Sequence, residues 1–167
     1  MFTGDIVDAA VTHLSARIQT LVVEHFPDDP SQYALMHPTG AVLVAYGGSR
    51  FGEVEDLDAI VQDRDAQLDI TLLIRGLQGP SGANAHLDAI RTALTGFKVG
   101  GAQSKLKPMR ERLVGHDNGI WRFEMNFSAK VREVERGPDE AWPLLTRLTW
   151  DGKYETTEVT SGDQEDA

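Results

Sequence analysis

The chain has 167 residues, 41% of them apolar and 25% charged, with 26 acidic against 16 basic side chains and a formal net charge of −10. That length suits one domain, or one domain with an extension, and that charge argues against a general nucleic-acid binder, which needs cations to displace phosphate counterions. There is no cysteine, which excludes disulfides, thiolate catalysis and thiolate-held zinc.

Residues 1–5 show no basic region ahead of a long apolar core, so no signal peptide is expected. No run approaches the roughly 20 apolar residues of a spanning helix. The expectation is a soluble protein that works inside a cell, or in something assembled there, without a membrane partner.

Residues 5–26 predict the first helix. Val7, Val11, Leu14, Ile18 and Leu21 recur every three or four positions, and Val22 and Phe26 widen the stripe. Asp5 and Asp8 suit the first turn, where the helix dipole favours negative charge. Pro27-Asp28-Asp29-Pro30 stops the helix. Its polar side carries few basic residues, so packing on its own sheet is favoured over a membrane surface.

Residues 31–36 carry no clear pattern, and His37-Pro38-Thr39-Gly40 reads as a turn. Residues 41–46 are apolar on both faces, as in a well-covered strand. Gly47-Gly48-Ser49-Arg50 is expected to end it. Those glycines lack the Lys-Ser or Lys-Thr of a phosphate cradle. Residues 53–65 hold Glu53, Glu55, Asp56, Asp58, Asp63 and Asp65, without the regular series of a calcium loop. They read as a solvated loop running into a strand at 59–62, which pairs with or continues into the next one.

Residues 67–97 form the central unit. Leu68, Ile70, Leu72 and Ile74 share one face of a strand, and Asp69, Thr71, Leu73 and Arg75 share the other. Gly76, Gly79, Pro80 and Gly82 break the pattern, and Ser81 is the expected cap of a second helix. On that helix Ala83, Leu87, Ile90 and Leu94 make one apolar stripe. Gly96 is placed to end it.

Residues 98–112 carry Lys98, Lys105, Lys107, Arg110 and Arg112 against Glu111 alone. This basic stretch reads as a solvated loop leading to a short edge strand, with Leu106, Leu113 and Val114 as its apolar anchors. His116-Asp117-Asn118-Gly119 is a hairpin turn. Residues 120–134 then alternate. Trp121, Phe123, Met125, Phe127, Ala129 and Val131 make the floor for both helices, in preference to a stacking platform for bases.

After residue 135 the composition changes. Arg136-Gly137-Pro138-Asp139 reads as a turn, residues 141–145 and 148–150 are apolar islands, and the last residues are polar and acidic. The expected organisation is an α+β domain over residues 1–135 and a C-terminal extension over residues 136–167 with an acidic, flexible end. The fold class is α+β: a single mixed or antiparallel sheet with two amphipathic helices packed on one face, plus the extension.

No catalytic signature appears. The five histidines fall in separate elements without metal spacing. No nucleophile elbow or dinucleotide fingerprint is present. In Gly79-Pro80-Ser81-Gly82 the proline removes a donor that an anion site needs. A metal-dependent nuclease of the restriction type would share the order of elements and could use Asp69, but no Glu-x-Lys follows it. Catalytic, cofactor and metal residues are therefore all read as none.

The runs of residues 68–77 (LDITLLIRGL), 87–97 (LDAIRTALTGF) and 121–128 (WRFEMNFS), joined by a glycine-containing loop, together resemble the tail-terminator proteins of Mu-like contractile-tailed bacteriophages over about residues 6–134. The resemblance implies a small α/β structural protein that forms a homohexameric ring. Such a ring caps the head-proximal end of the tail tube, ends tail polymerisation and joins the tail to the neck. The implied partners are other copies of the chain, the tail tube protein, the tail sheath protein and the neck or head–tail connector. DNA would pass through the channel without specific binding, and the protein would sit in the virion tail after assembly in the host cytoplasm. Another neck or tail-completion protein of similar fold is the alternative. The candidate contact residues are Arg50, Asp69, Arg75, Lys98, Lys105, Lys107, Trp142 and Trp150.

Overall fold

The computed structural model describes residues 3–55 and 59–135. Helix α1 spans Thr3–Arg17, strand β1 Val22–His25, β2 Gly40–Val54, β3 Val61–Ile74, helix α2 Ala83–Leu94, β4 Lys107–Asp117 and β5 Ile120–Val134; a single 3-10 turn lies at Pro30–Gln32. The strands make one mixed sheet in the order β1-β2-β3-β5-β4. Among the described residues only β1 runs parallel to its neighbour; the remaining pairs are antiparallel. This is the expected α+β class.

The core follows from the period-two and period-3.6 patterns. Leu68, Ile70, Leu72 and Ile74 of β3 are fully buried, and Phe123, Met125, Phe127, Ala129 and Val131 of β5 lie in the same cluster. Ile6, Ala10 and Leu14 of α1 and Ala83, Leu87, Ile90 and Leu94 of α2 close it from above. Residues facing each other across β2, β3 and β5 share a face, because side chains alternate along a strand. Gly96, at φ 82°, takes the left-handed conformation that ends α2. Asn118 and Gly119, at φ 49° and 75°, make the β4–β5 hairpin turn.

Four local expectations are corrected, and one open alternative, the third below, is decided. The first helix ends at Arg17, not Phe26; its last turn closes with Ile18 N–H on Leu14 O at 2.8 Å. Thr20, Val22 and Val23 are β-branched and stiff, and the chain turns to lay β1 beside residues 41–44. Ile18 and Leu21 are buried as the stripe requires, but a turn brings them there. Second, Gly47 and Gly48 do not end β2. The strand runs through them with a register shift between Tyr46 and Gly48, and Gly48 sits at φ 107°. Such a bulge adds twist without stopping the ladder.

Third, the strands expected at 59–62 and 68–75 are one strand of 14 residues, so continuation is the outcome. Fourth, Gly82, not Ser81, is the N-cap of α2, with no side-chain cap. A Cβ there would overlap the backbone carbonyls of Leu77 and Gln78, so the tight approach of the loop selects glycine. Fifth, β4 is a long edge strand in which Leu113 and Val114 are exposed; Leu106, just before it, is buried and does anchor the chain.

Candidate functional site

One face of the sheet is covered by helices; the other is largely polar, although Ala41, Leu43, Thr71 and Ser128 on it are buried. On this second face, alternate residues of β3 and β5 meet in register: Asp69 opposite Asn126, Thr71 opposite Glu124, Asp63 opposite Arg132. The Asn126 amide donates to Asp69 Oδ1 at 2.6 Å. Glu124 receives Arg112 and Arg122. Asp63 lies 3.3 Å from Arg132 and 3.9 Å from Lys130, and Arg132 also reaches Glu55. Pairs this open to water contribute roughly 0–1 kcal/mol each. They organise a charged surface more than they hold the fold together.

The predicted contact residues are scattered over this frame. Asp69 lies in the middle of the polar face, where a Cβ on Gly47 would overlap its carboxylate. Arg50 is exposed on β2, opposite Asp65. Arg75 follows β3 and donates through Nη2 to Leu35 O at 3.0 Å, tying residues 30–38 to the sheet. Lys98, Lys105 and Lys107 are exposed on the segment entering β4. That segment is not a loose loop: Gln103 N–H donates to Lys130 O at 2.8 Å, Leu106 N–H to Phe97 O at 2.8 Å, and Val99, Ala102 and Leu106 are buried. Trp142 and Trp150 lie outside the described residues, as does the whole extension.

The histidines are occupied structurally. His13 stacks on Phe97 with centroids 3.7 Å apart. His25 meets Asp8 at 2.6 Å. His37 Nδ1 accepts from the N–H groups of Thr39 and Gly40. His86 bridges Gly82 O and the Thr20 hydroxyl, and His116 lies against Trp121. Among the described residues no three His, Asp or Glu side chains are grouped to hold a metal ion. Asp69 has an amide beside it rather than the acid–lysine pair that restriction-type chemistry uses.

Two exposed apolar patches are more distinctive. The helix-side face of β2, β3 and β5 runs on past the helices. There Phe51, Val54 and Ile60 are each more than half exposed, as is Val134 at the end of β5 on the opposite face. Phe51, Ile60 and Val134 line an open depression of about 330 Å³, together with Arg64. On the other edge strand, β4, Met109, Leu113 and Val114 are exposed. Phe51 stands alone between Arg50 and Gly52 in a polar run, which is a faint sequence signal for an apolar contact point. The sequence pattern marks Leu113 and Val114 as apolar anchors of that strand and does not single out Met109.

Comparison with known proteins adds the following. A family model described as Gp37 protein matches residues 10–152, beyond the boundary expected at 135. No curated protein matches the chain. Among solved chains, one from the virion of a native gene transfer agent (GTA) particle is similar at 19% identity with a TM-score of 0.47, over 76% of this chain and 92% of that one.

Proposed function

The chain belongs to the Gp37 protein family, and from that premise we propose that it is a structural subunit of a phage tail, a tail terminator that works as a homohexameric ring. The ring caps the head-proximal end of the tail tube, ends its polymerisation and offers the neck a surface. The observation that carries this reading is the pairing of a complete core with apolar residues left open at two separate places on the sheet. A monomer gains nothing from exposing Phe51, Ile60, Met109 and Leu113 together, whereas an assembly part buries them. The resemblance of the 68–77, 87–97 and 121–128 runs to tail terminators points to which assembly.

Within this reading the polar face, with Asp69 at its middle, and the basic segment of Lys98, Lys105 and Lys107 are surfaces for tube, sheath or neck. Arg50 and Arg75 flank them. Residues 136–167 form an extension in which Trp142 and Trp150 reach a neighbouring subunit or the sheath. The role is assembly, without catalysis, and DNA passes the ring unbound.

Light scattering of the 18.3 kDa chain, alone and with tube subunits of the same particle, tests the proposal. The expected result is a mass of six chains, and tubes that stop lengthening once the chain is added. A chain that stays monomeric in both mixtures, with tubes growing unchanged, refutes it.

A further inference from the structure

Arg64 is a charged side chain placed where the core ends. It projects from the helix-side face of β3, between Phe51 of β2 and Val131 of β5, and its side chain is only 9% exposed. Its Nε lies 3.1 Å from Glu133 Oε1, out of line for a hydrogen bond, and Nη2 is buried with no hydrogen-bond partner among the described residues. A buried donor left without an acceptor costs roughly 1–3 kcal/mol. Closing the core with its aliphatic stem accounts for the burial of Arg64, but not for the open donor. The charge is already answered by Glu133, with Glu135 nearby. The missing partner is therefore a neutral oxygen, such as a backbone carbonyl, brought in by a segment that also covers Phe51 and Ile60.

We propose that this segment is the β4 edge of a second copy of the chain. The assignment rests on the ring reading and names its subunit contact. Edge strands present unpaired carbonyl groups, and β4 is the last strand of the sheet among the described residues. It exposes Met109 and Leu113, which match the apolar rim around Arg64. Charge agrees as well. Lys107 and Arg110 are exposed on β4, Glu133 and Glu135 line the depression, and Glu53 is exposed on β2 two residues beyond Phe51. Unlike surfaces on one subunit meet head to tail, and such contacts close into rings when the rotation allows.

The absence of cysteine makes the contact directly testable. Phe51→Cys and Met109→Cys variants place one thiol on each exposed surface (58% and 57% exposed). The full chain carrying both is treated with a short bis-maleimide. The expected product is a ladder of multiples ending at the ring size. Each single variant alone stays at monomer size, and the two mixed give dimers and nothing larger. Arg64→Met keeps the apolar stem and removes the donor; it should fold, and need about tenfold more protein to form the same ladder, the effect expected of one lost charge-assisted hydrogen bond. Single variants that cross-link as well as the double variant overturn the head-to-tail contact. No ladder, with wild-type light scattering still showing a ring, overturns this interface and leaves the ring standing. No ladder and a monomeric wild type, with and without tube subunits, overturn both.

Discussion

At the residue scale, His86 shows how a titratable side chain becomes a structural one. Gly82 O can only accept, so Nδ1 donates to it at 2.9 Å, and Nε2 then accepts from the Thr20 hydroxyl, also at 2.9 Å. The ring is 5% exposed and joins the first turn of α2 to the turn ahead of β1. His86→Ala is expected to lose about 1–3 kcal/mol of unfolding free energy in a urea titration, because it removes both hydrogen bonds of a buried ring and leaves the space it filled. A loss within experimental scatter would show that the bridge is idle. Tyr33 gives a pH signature. Burial, and then its hydrogen bond to Glu24, push the Tyr33 hydroxyl well above its ordinary value of 10.0. The folded state therefore holds this proton more tightly than the unfolded chain does. The stabilisation is complete below the ordinary value and is lost as pH rises past it. Tyr33→Phe should flatten the fall in stability between about pH 9 and about pH 11. An unchanged slope would remove Tyr33 as its source.

At the element scale, β3 is the strand on which the others depend. It pairs with β2 on one side and β5 on the other, and its inner residues are completely buried. Ile70→Ala should cost about 2–5 kcal/mol, the range for a large-to-small change in a closed core. Leu113→Ala, on the exposed edge of β4, should change the stability of the isolated chain by less than about 0.5 kcal/mol. Thermal or urea unfolding of the two variants separates them, and equal losses would mean that Leu113 is an anchor after all. The contrast also marks a limit of reading strands by composition. Ile70 and Leu113 both sit in apolar-bearing strand patterns. Their neighbours across the sheet decide which is covered. The same applies to β1, where the helical spacing of Ile18 and Leu21 persisted across a turn because both structures point those residues at one core.

At the scale of the whole molecule, the sheet has a dry face and a charged one, with its apolar leftovers at separate edges. Under the proposed head-to-tail contact, Lys107 and Arg110 approach Glu53, Glu133 and Glu135 of the next copy. Raising the salt from about 0.05 M to about 0.5 M shortens the screening length several-fold. Ring formation followed by light scattering should then slow markedly, since long-range attraction acts chiefly on the association rate. The unfolding midpoint of the chain should shift little, because its core is apolar. A rate indifferent to salt would argue against unlike-charge docking.

The sequence by itself determined the α+β class, the apolar stripe of α2, the alternation of β3 and β5 and the Asn118-Gly119 turn. Each of these is set by periodicity or by a backbone conformation that few residues tolerate, and both are local properties of the chain. It also showed the lack of any catalytic signature and the basic run that leads into β4. Only the tertiary structure decided the remainder. β1 exists because β2 offers it a partner. Gly47 and Gly48 bend a strand rather than end it because β3 continues beside them. Arg64, ordinary as a letter between Asp63 and Asp65, becomes a buried donor because Phe51 and Val131 arrive on either side of it. These outcomes depend on pairs far apart in the chain, and burial is a property of the pair, not of either residue alone.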